Sequence, residues 1–218
     1  MKKIFWANPY QNILETTVAS VNGADVVFHE TIVYSFAGGQ ESDKATVNNI
    51  PILNSRREEN LIYYTLPENH GLAVGDAVTM VIDWPRRNKL MRLHFAAEII
   101  LEIVCQKYSF EKVGAHIAEH KSRIDFRCEG NIGQHFDEIL AIYNDIIKNN
   151  YPIEKGYSDL EAQRRYWKIE GFAQVPCGGT HVNTTSEVGY VTLKRERPGK
   201  GIERIEIRLL DETCPPAE

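Results

Sequence analysis

Two short segments carry side chains that bind metal ions. Cys177-Gly178-Gly179-Thr180-His181 places a thiol and an imidazole four positions apart, and the glycines between them let the backbone turn tightly. His94 and Glu98 are also four positions apart, so a helix would project both from one face. These residue types suit zinc, but each pair alone is weak evidence. The alternative is a buried, hydrogen-bonded histidine, an ordinary polar pair on a helix, and a cysteine that packs as a small hydrophobic side chain.

A helix is expected to position the second pair. Leu90 to Tyr108 is apolar on most sides, which predicts a buried helix whose polar stripe faces a cleft or a partner. Trp84-Pro85 precedes it and marks a boundary. A second helix is expected from Gly133 to Asn149. A third is expected to start at Ser158-Asp159-Leu160-Glu161, which has the pattern of a capping box.

The first 84 residues predict a small antiparallel β-barrel-like domain, because short β segments alternate with turn residues. The turn Asn22-Gly23-Ala24-Asp25 makes a hairpin of the first two segments. Near the C-terminus, Val188 to Lys194 and Ile202 to Leu210 alternate at period two and predict another hairpin. The N-terminal β segments are Leu14 to Val21, Val26 to Tyr34, Leu61 to Leu66 and Ala77 to Ile82.

Composition describes a folded protein of ordinary balance. The 218 residues, 43% of them hydrophobic and 25% charged, allow two small domains or one large one. A net charge of -5 argues against a protein coated in nucleic acid, so local basic clusters must carry any such contact. No apolar run approaches the ~20 residues that cross a bilayer, and four scattered cysteines do not form a disulfide framework. We expect a cytoplasmic protein with no membrane or disulfide partner and a poorly ordered tail from Asp211.

Several motifs together resemble a known family. Met91-Arg92-Leu93-His94, followed by Ala96-Ala97, and Cys177 to Val182 look like the two zinc-binding motifs of the alanyl-tRNA synthetase editing domain. Thr31 to Asp43 is similar to that family's glycine-glycine-glutamine segment, with Thr31 and Tyr34 in register. Ser122 to Phe126 and the basic hairpin Lys194 to Arg204 also resemble family segments in the expected order. The resemblance runs from about Thr31 to Leu210 and fits the free-standing alanyl-tRNA editing proteins, which share the second additional domain of threonyl- and alanyl-tRNA synthetases.

The resemblance implies an α+β fold in which the β-barrel-like domain (1–84) precedes a two-layer α/β editing domain with an antiparallel sheet (85–218). It implies a hydrolase that uses Zn²⁺ to deacylate tRNA(Ala) mischarged with serine or glycine. Thr31 would lie near the amino-acid side chain and favour serine over alanine, while Gly38, Gly39 and Gln40 would line the site. No aminoacylation is expected, because 218 residues leave no room for that domain and no ATP-cradling motif is visible. The residues expected to contact the tRNA backbone are Arg86, Arg87, Lys194, Arg195 and Lys200.

One position departs from the family pattern. Glu98 occupies the place where the family's first motif has a second histidine. If Glu98 ligates, the metal is held by His94, Glu98, Cys177 and His181. If it does not, the other three hold the metal and Glu98 can accept a proton from water. A third possibility is that metal binding is lost, which leaves a catalytically silent tRNA-binding module. A zinc esterase acting on another aminoacyl-tRNA, such as threonyl-tRNA, is a further alternative, and the sequence leaves the oligomeric state open.

Overall fold

The computed structural model describes residues 1–210, so the expected disorder of the tail and the residue Cys214 lie outside the described residues. The fold is α+β with mostly antiparallel strands. The chain forms two compact units, one made of Met1–Ala37 with Glu41–Asn88 and the other of Gly38–Gln40 with the chain from Lys89 onward. The chain passes from the first unit to the second between Asn88 and Lys89, a few residues after the boundary predicted at position 84. The division into two functional domains at position 84 stays a prediction.

The elements of the first unit are β1 (Lys2–Lys3), α1 (Ile4–Ala7), β2 (Ile13–Asn22), β3 (Asp25–Phe28), β4 (Glu30–Thr31), β5 (Ala45–Val47), β6 (Ile50–Pro51), β7 (Asn54–Glu58), β8 (Leu61–Thr65) and β9 (Ala77–Ile82). Seven of these strands form an antiparallel sheet that curls as a half barrel, in the order β6-β5-β9-β2-β3-β8-β7. The long strand β2 pairs with β3 on one edge and β9 on the other, which confirms the predicted N-terminal hairpin. Its partner strand is shorter than expected and ends at Phe28.

A buried ion pair stabilises the first unit. Arg87 and Asp43 are paired with side chains that are 0% exposed, and the Arg87 guanidinium also donates to the carbonyl oxygens of Pro9 (3.0 Å) and Ile32 (2.6 Å). A buried charge of this kind is tolerated because its donors are satisfied. Arg87 is therefore a structural residue of this unit.

The predicted buried helix is present as α2 (Trp84–Tyr108). It begins earlier than Leu90 because Pro85 is tolerated in a first helical turn and the Asp83 carboxylate caps that turn by accepting the backbone N–H of Arg86 at 3.1 Å. Within residues 1–210, no helix is both long and apolar enough to cross a membrane.

The elements of the second unit after α2 are β10 (Glu111–Ile117), β11 (Ser122–Arg127), α3 (Phe136–Asn149), β12 (Glu154–Asp159), β13 (Arg164–Ile169), β14 (Ala173–Pro176), the 3-10 helix Thr185–Glu187, β15 (Val191–Gly199) and β16 (Ile202–Leu209). The strands form two antiparallel sheets, ordered β10-β11-β16-β15 and β12-β13-β14. The C-terminal hairpin β15–β16 and the helix expected from Gly133 to Asn149 are both confirmed, the helix starting as a 3-10 turn (Ile132–His135).

The prediction of a helix that starts at Ser158 was wrong. Ser158 and Asp159 end strand β12, and a turn leads into β13. The Asp159 carboxylate does accept a backbone N–H three residues later, from Ala162 at 2.8 Å, but this contact closes a turn and not a helix. Burial of alternate residues in β13, including Trp167 and Ile169, outweighs the local capping pattern.

Candidate metal centre

The loop after β14 brings a thiol and an imidazole together. The backbone N–H of Cys177 donates to the Arg165 carbonyl oxygen at 2.9 Å, which extends the pairing with β13 and anchors the loop. Gly178 and Gly179 then turn the chain, so that the Cys177 Sγ lies 3.3 Å from the His181 Nε2. His181 is 1% exposed. The loop therefore presents two potential ligands at one point in the second unit.

Helix α2 supplies the other side chains of the site. His94 and Glu98 lie one helical turn apart, with side chains that are 5% and 13% exposed. The His94 Nε2 lies 3.5 Å from the Cys177 Sγ and 3.3 Å from the Glu98 Oε1. Donor atoms of His94, Cys177 and His181 all lie within 4.8 Å of one another. Residues far apart in sequence thus converge on one cluster.

The spacing of these atoms fits a tetrahedral ion. Bond lengths of about 2.3 Å from zinc to sulfur and about 2.1 Å to nitrogen or oxygen place neighbouring tetrahedral donors about 3.4–3.6 Å apart. The two separations between Cys177 Sγ and the histidines, 3.5 and 3.3 Å, are close to that value. Glu98 Oε1 is 3.8 Å from the sulfur, so it adjoins the group of three. The cluster His94, Cys177 and His181 could bind a metal ion.

A glutamine orients the first of these ligands. The Gln40 Oε1 accepts the backbone N–H of Thr180 at 3.2 Å, which identifies that atom as the oxygen. The same oxygen lies 2.7 Å from the His94 Nδ1, so this ring nitrogen must carry the hydrogen and donate. The His94 Nε2 then faces the cluster. Such a hydrogen bond fixes both the ring orientation and the tautomer of a metal-binding histidine.

Two glycines make these contacts possible. A Cβ atom added at Gly179 would lie 1.9 Å from the His94 Cε1, whereas one added at Gly178 would have nothing within 4 Å. Gly39 has a φ of +86°, and a Cβ there would lie 2.7 Å from the Ala115 carbonyl oxygen. The Gly39 carbonyl oxygen itself accepts the N–H of Ile117 at 2.8 Å. Because Gly39 and Gly179 have no side chains, the backbone at Gly39 can lie against Ala115 and the backbone at Gly179 can lie against His94 and Gln40.

The charges of the cluster favour a cation. Burial opposes protonation of His94, but the charges of Cys177 and Glu98 outweigh it and raise the pKa of His94 to about 10. Burial opposes ionisation of Glu98, yet His94 lowers the Glu98 pKa to about 2. Burial first, and then the charge of His94, lower the pKa of His181 well below its usual value, so that ring stays neutral. A bound metal ion would replace the proton on His94 as the positive charge.

Trp167 and Thr180 are site residues that the sequence did not reveal. Trp167, expected only to pack, donates its Nε1–H to the Glu98 Oε2 at 3.0 Å. Thr180 receives a hydrogen bond from the Gln40 Nε2 at 2.9 Å. The period-two pattern around Trp167 could have indicated a strand with this ring on its buried face. Nothing in the sequence identifies the carboxylate as its partner.

Thr31 lies in the first unit and is 0% exposed. Its hydroxyl is 2.7 Å from the Tyr64 hydroxyl and accepts the backbone N–H of Val33 at 3.0 Å. The serine-selecting role expected for Thr31 stays a prediction. Gly38 has a φ of +59° and no atom within 4 Å of an added Cβ, so it serves the turn that leads to Gln40.

The basic residues expected to contact tRNA differ in their surroundings. Arg87 is fully buried and hydrogen-bonded within its own unit. The expectation that Arg87 contacts tRNA is therefore wrong. Arg86 is 11% exposed and paired with Glu41, and Arg195 is paired with Glu203. Lys194 is 69% exposed and 3.5 Å from the carboxylate of Glu196, and Lys200 is exposed at the hairpin turn.

Comparison with known proteins identifies the family of the chain. Residues 166–206 match the family described as the threonyl and alanyl tRNA synthetase second additional domain. The chain is 29% identical to alanyl-tRNA editing protein AlaX-M of Pyrococcus horikoshii, with 95% of this chain and 97% of that protein covered. It is 30% identical to AlaX-M of Methanosarcina barkeri, with 95% and 98% covered. It is also 30% identical to an alanine–tRNA ligase of Methanococcus aeolicus, over 93% of this chain but 25% of the ligase. Because the chain aligns over nearly its whole length with editing proteins of similar length, one of them 30% identical, it belongs to the alanyl-tRNA editing protein family.

Proposed function

We propose that this protein is a zinc-dependent hydrolase that edits in trans, deacylating tRNA(Ala) that carries serine or glycine. The observation that supports this most directly is the cluster of the buried His94 and His181 with the half-buried Cys177, in a chain that aligns over nearly its whole length with alanyl-tRNA editing proteins. The reaction is the hydrolysis of the ester that joins the amino acid to the terminal ribose. Water adds its oxygen to the ester carbonyl and the ribose oxygen leaves with a proton.

Zinc is the ion that this donor set suits best. One thiolate and two imidazoles are ligands of zinc, and a magnesium or calcium site would need oxygen donors. When bound, zinc supplies Lewis acidity that polarises a carbonyl or lowers the pKa of water. The protein would hold it with His94, Cys177 and His181, and Gln40 keeps His94 in the tautomer that a ligand requires.

Glu98 is the proposed fourth ligand, beside the three residues whose donor atoms all lie within 4.8 Å of one another. Its Oε1 lies 3.3 Å from the His94 Nε2, a separation compatible both with two ligands of one ion and with a hydrogen bond between the two side chains. As a ligand, Glu98 adds negative charge beside the thiolate and weakens the Lewis acidity of the ion. As the alternative role, a Glu98 that does not ligate accepts the proton that the attacking water loses. We favour ligation because this oxygen adjoins the three other donors.

Substrate selection is proposed to rest on Thr31 and on the segment Gly38-Gly39-Gln40. A hydroxyl that hydrogen-bonds the serine side chain would lose that bond with alanine, which leaves polar groups unpaired and lowers the rate. The exposed Lys194 and Lys200 are proposed to contact the tRNA backbone, with Arg86 and Arg195 contributing only if they exchange their carboxylate partners. Contacts with phosphate weaken as salt rises, so affinity for tRNA should fall with ionic strength.

The test compares substrates and metal content in one preparation. Seryl-, glycyl- and correctly charged alanyl-tRNA(Ala) are incubated with the protein, beside threonyl-tRNA, and zinc is determined by mass spectrometry. Selective release of serine or glycine with about one zinc per chain is the expected result. Binding of tRNA without hydrolysis by a folded, metal-free protein would indicate the catalytically silent module. Faster hydrolysis of threonyl-tRNA would indicate an esterase with another substrate.

A further inference from the structure

Trp167 has one hydrogen-bonding atom, and that atom contacts Glu98. The side chain is 0% exposed, and its Nε1–H donates to the Glu98 Oε2 at 3.0 Å. The ring meets Phe95 edge to face, with centroids 5.1 Å apart. Phe95 in turn meets the His181 ring in the same manner at 5.4 Å. Packing on these faces fixes the indole, so its N–H is a rigid donor aimed at the carboxylate.

The two oxygens of Glu98 therefore have different surroundings. Oε1 lies 3.3 Å from the His94 Nε2 and 3.8 Å from the Cys177 Sγ, on the side of the metal cluster. Oε2 accepts the indole N–H. A carboxylate with both oxygens available can bind an ion through both and raise the coordination number from four to five. An imidazole offers one nitrogen and does not have this freedom.

We infer that Trp167 is a positioning residue that restricts Glu98 to ligation through one oxygen, so that the metal would have four protein donors and a fifth position would be left to substrate or water and not to the second carboxylate oxygen. The inference rests on the proposed metal-dependent function. It extends that function by explaining how a carboxylate serves in a site otherwise made of single-atom donors. The indole N–H engages Oε2 and holds the plane of the carboxylate, and Oε1 alone is directed at the cluster.

The experiment measures metal binding and not activity. Trp167→Phe removes the N–H and keeps an aromatic ring, and it is compared with the unchanged protein and with Trp6→Phe, which removes another buried tryptophan in the first unit. Each protein is loaded with Co²⁺, whose visible absorption is stronger in four-coordinate than in five-coordinate sites, and its Zn²⁺ affinity is measured by competition with a chelator. We expect Trp167→Phe to bind Zn²⁺ about 10–100-fold more weakly and to lose visible Co²⁺ intensity, and Trp6→Phe to do neither.

A second background separates positioning from packing. In Glu98→His the ligand has one donor nitrogen, so adding Trp167→Phe should leave the Co²⁺ spectrum and the Zn²⁺ affinity unchanged relative to Glu98→His alone. Equal losses in both backgrounds would show that Trp167 only fills space and would overturn the inference. If Trp167→Phe does not fold, benzothienylalanine at position 167 keeps the shape, lacks the N–H and should reproduce both expected changes. An unchanged spectrum and affinity there would also overturn it.

The outcomes distinguish this inference from the function on which it rests. If the unchanged protein binds no metal, the proposed function fails and the inference fails with it. If the unchanged protein binds zinc and deacylates seryl-tRNA(Ala), but loss of the indole N–H changes neither readout, only the inference fails.

Discussion

Replacing Gly179 with alanine tests whether the loop and the helix must fit closely for the site to work. A methyl group at this position would lie 1.9 Å from the His94 Cε1, 2.4 Å from the His94 Nδ1 and 2.9 Å from the Gln40 Oε1. Gly178 is the matched control, because a methyl group there would have no atom within 4 Å. Both variants have the same composition and change the same loop, so they differ only in where the added carbon lies.

The size of the effect follows from the overlap. Non-bonded carbon atoms are in favourable van der Waals contact at about 3.5 Å. The His94 ring or the loop would therefore have to move by about 1.6 Å to relieve the overlap. Metal ligands tolerate displacements of about 0.2 Å, and the movement would also break the 2.7 Å bond to Gln40 that sets the His94 tautomer. We expect Gly179→Ala to weaken zinc binding and slow deacylation by about 100-fold or more, and Gly178→Ala to change both by less than a factor of about three.

The assay is zinc competition with a chelator, followed by deacylation of seryl-tRNA(Ala) with zinc in excess. Circular dichroism and a thermal melt establish that both variants are folded. The close fit of Gly179 against His94 is refuted if Gly179→Ala retains the zinc affinity and rate of the unchanged protein. It is also refuted if Gly178→Ala loses as much.

Three further predictions concern other parts of the molecule. Cys177→Ala should abolish zinc content and deacylation, whereas Cys128→Ala should change neither; full activity of the first variant would exclude the metal mechanism. Arg87→Ala should lower the free energy of unfolding by about 3–5 kcal/mol, because it leaves a buried carboxylate unpaired; a urea titration that shows no change would contradict this. Bonding to Arg195 lowers the pKa of Glu203 in the folded state, so its stabilisation is present above the unfolded pKa of about 4.3 and is lost as pH falls through the lower folded value. Stability between about pH 5 and pH 3 should therefore depend less on pH in Glu203→Gln, and equal slopes in urea titrations would refute the assignment.

The sequence predicts elements well where a long pattern determines them. The buried helix up to Tyr108 carries a long segment that is apolar on most sides, the C-terminal hairpin carries a sustained alternation at period two, and both are present. The helix expected at Ser158 rested on four residues only. The same short side-chain contact closes a turn or caps a helix, and burial of Trp167 in a strand decided between them. Local capping chemistry therefore has to be weighed against the pattern that follows it.

Residue spacing predicts which residues of the site pair locally, but it does not predict that the two pairs converge. Spacing brings His94 together with Glu98, and Cys177 with His181, as candidate pairs, because each pair lies within one element or one loop, but the resemblance to the editing domain was needed to select them. The convergence of the two pairs depends on pairing between β13 and β14, which no local pattern encodes. Charge clusters are least informative, because Arg87 belongs to a basic run in sequence yet is buried against its own unit. A cationic side chain indicates that an acidic partner is needed. The acceptors around it in the fold determine whether that partner is a phosphate of a bound nucleic acid or a carboxylate of the protein itself.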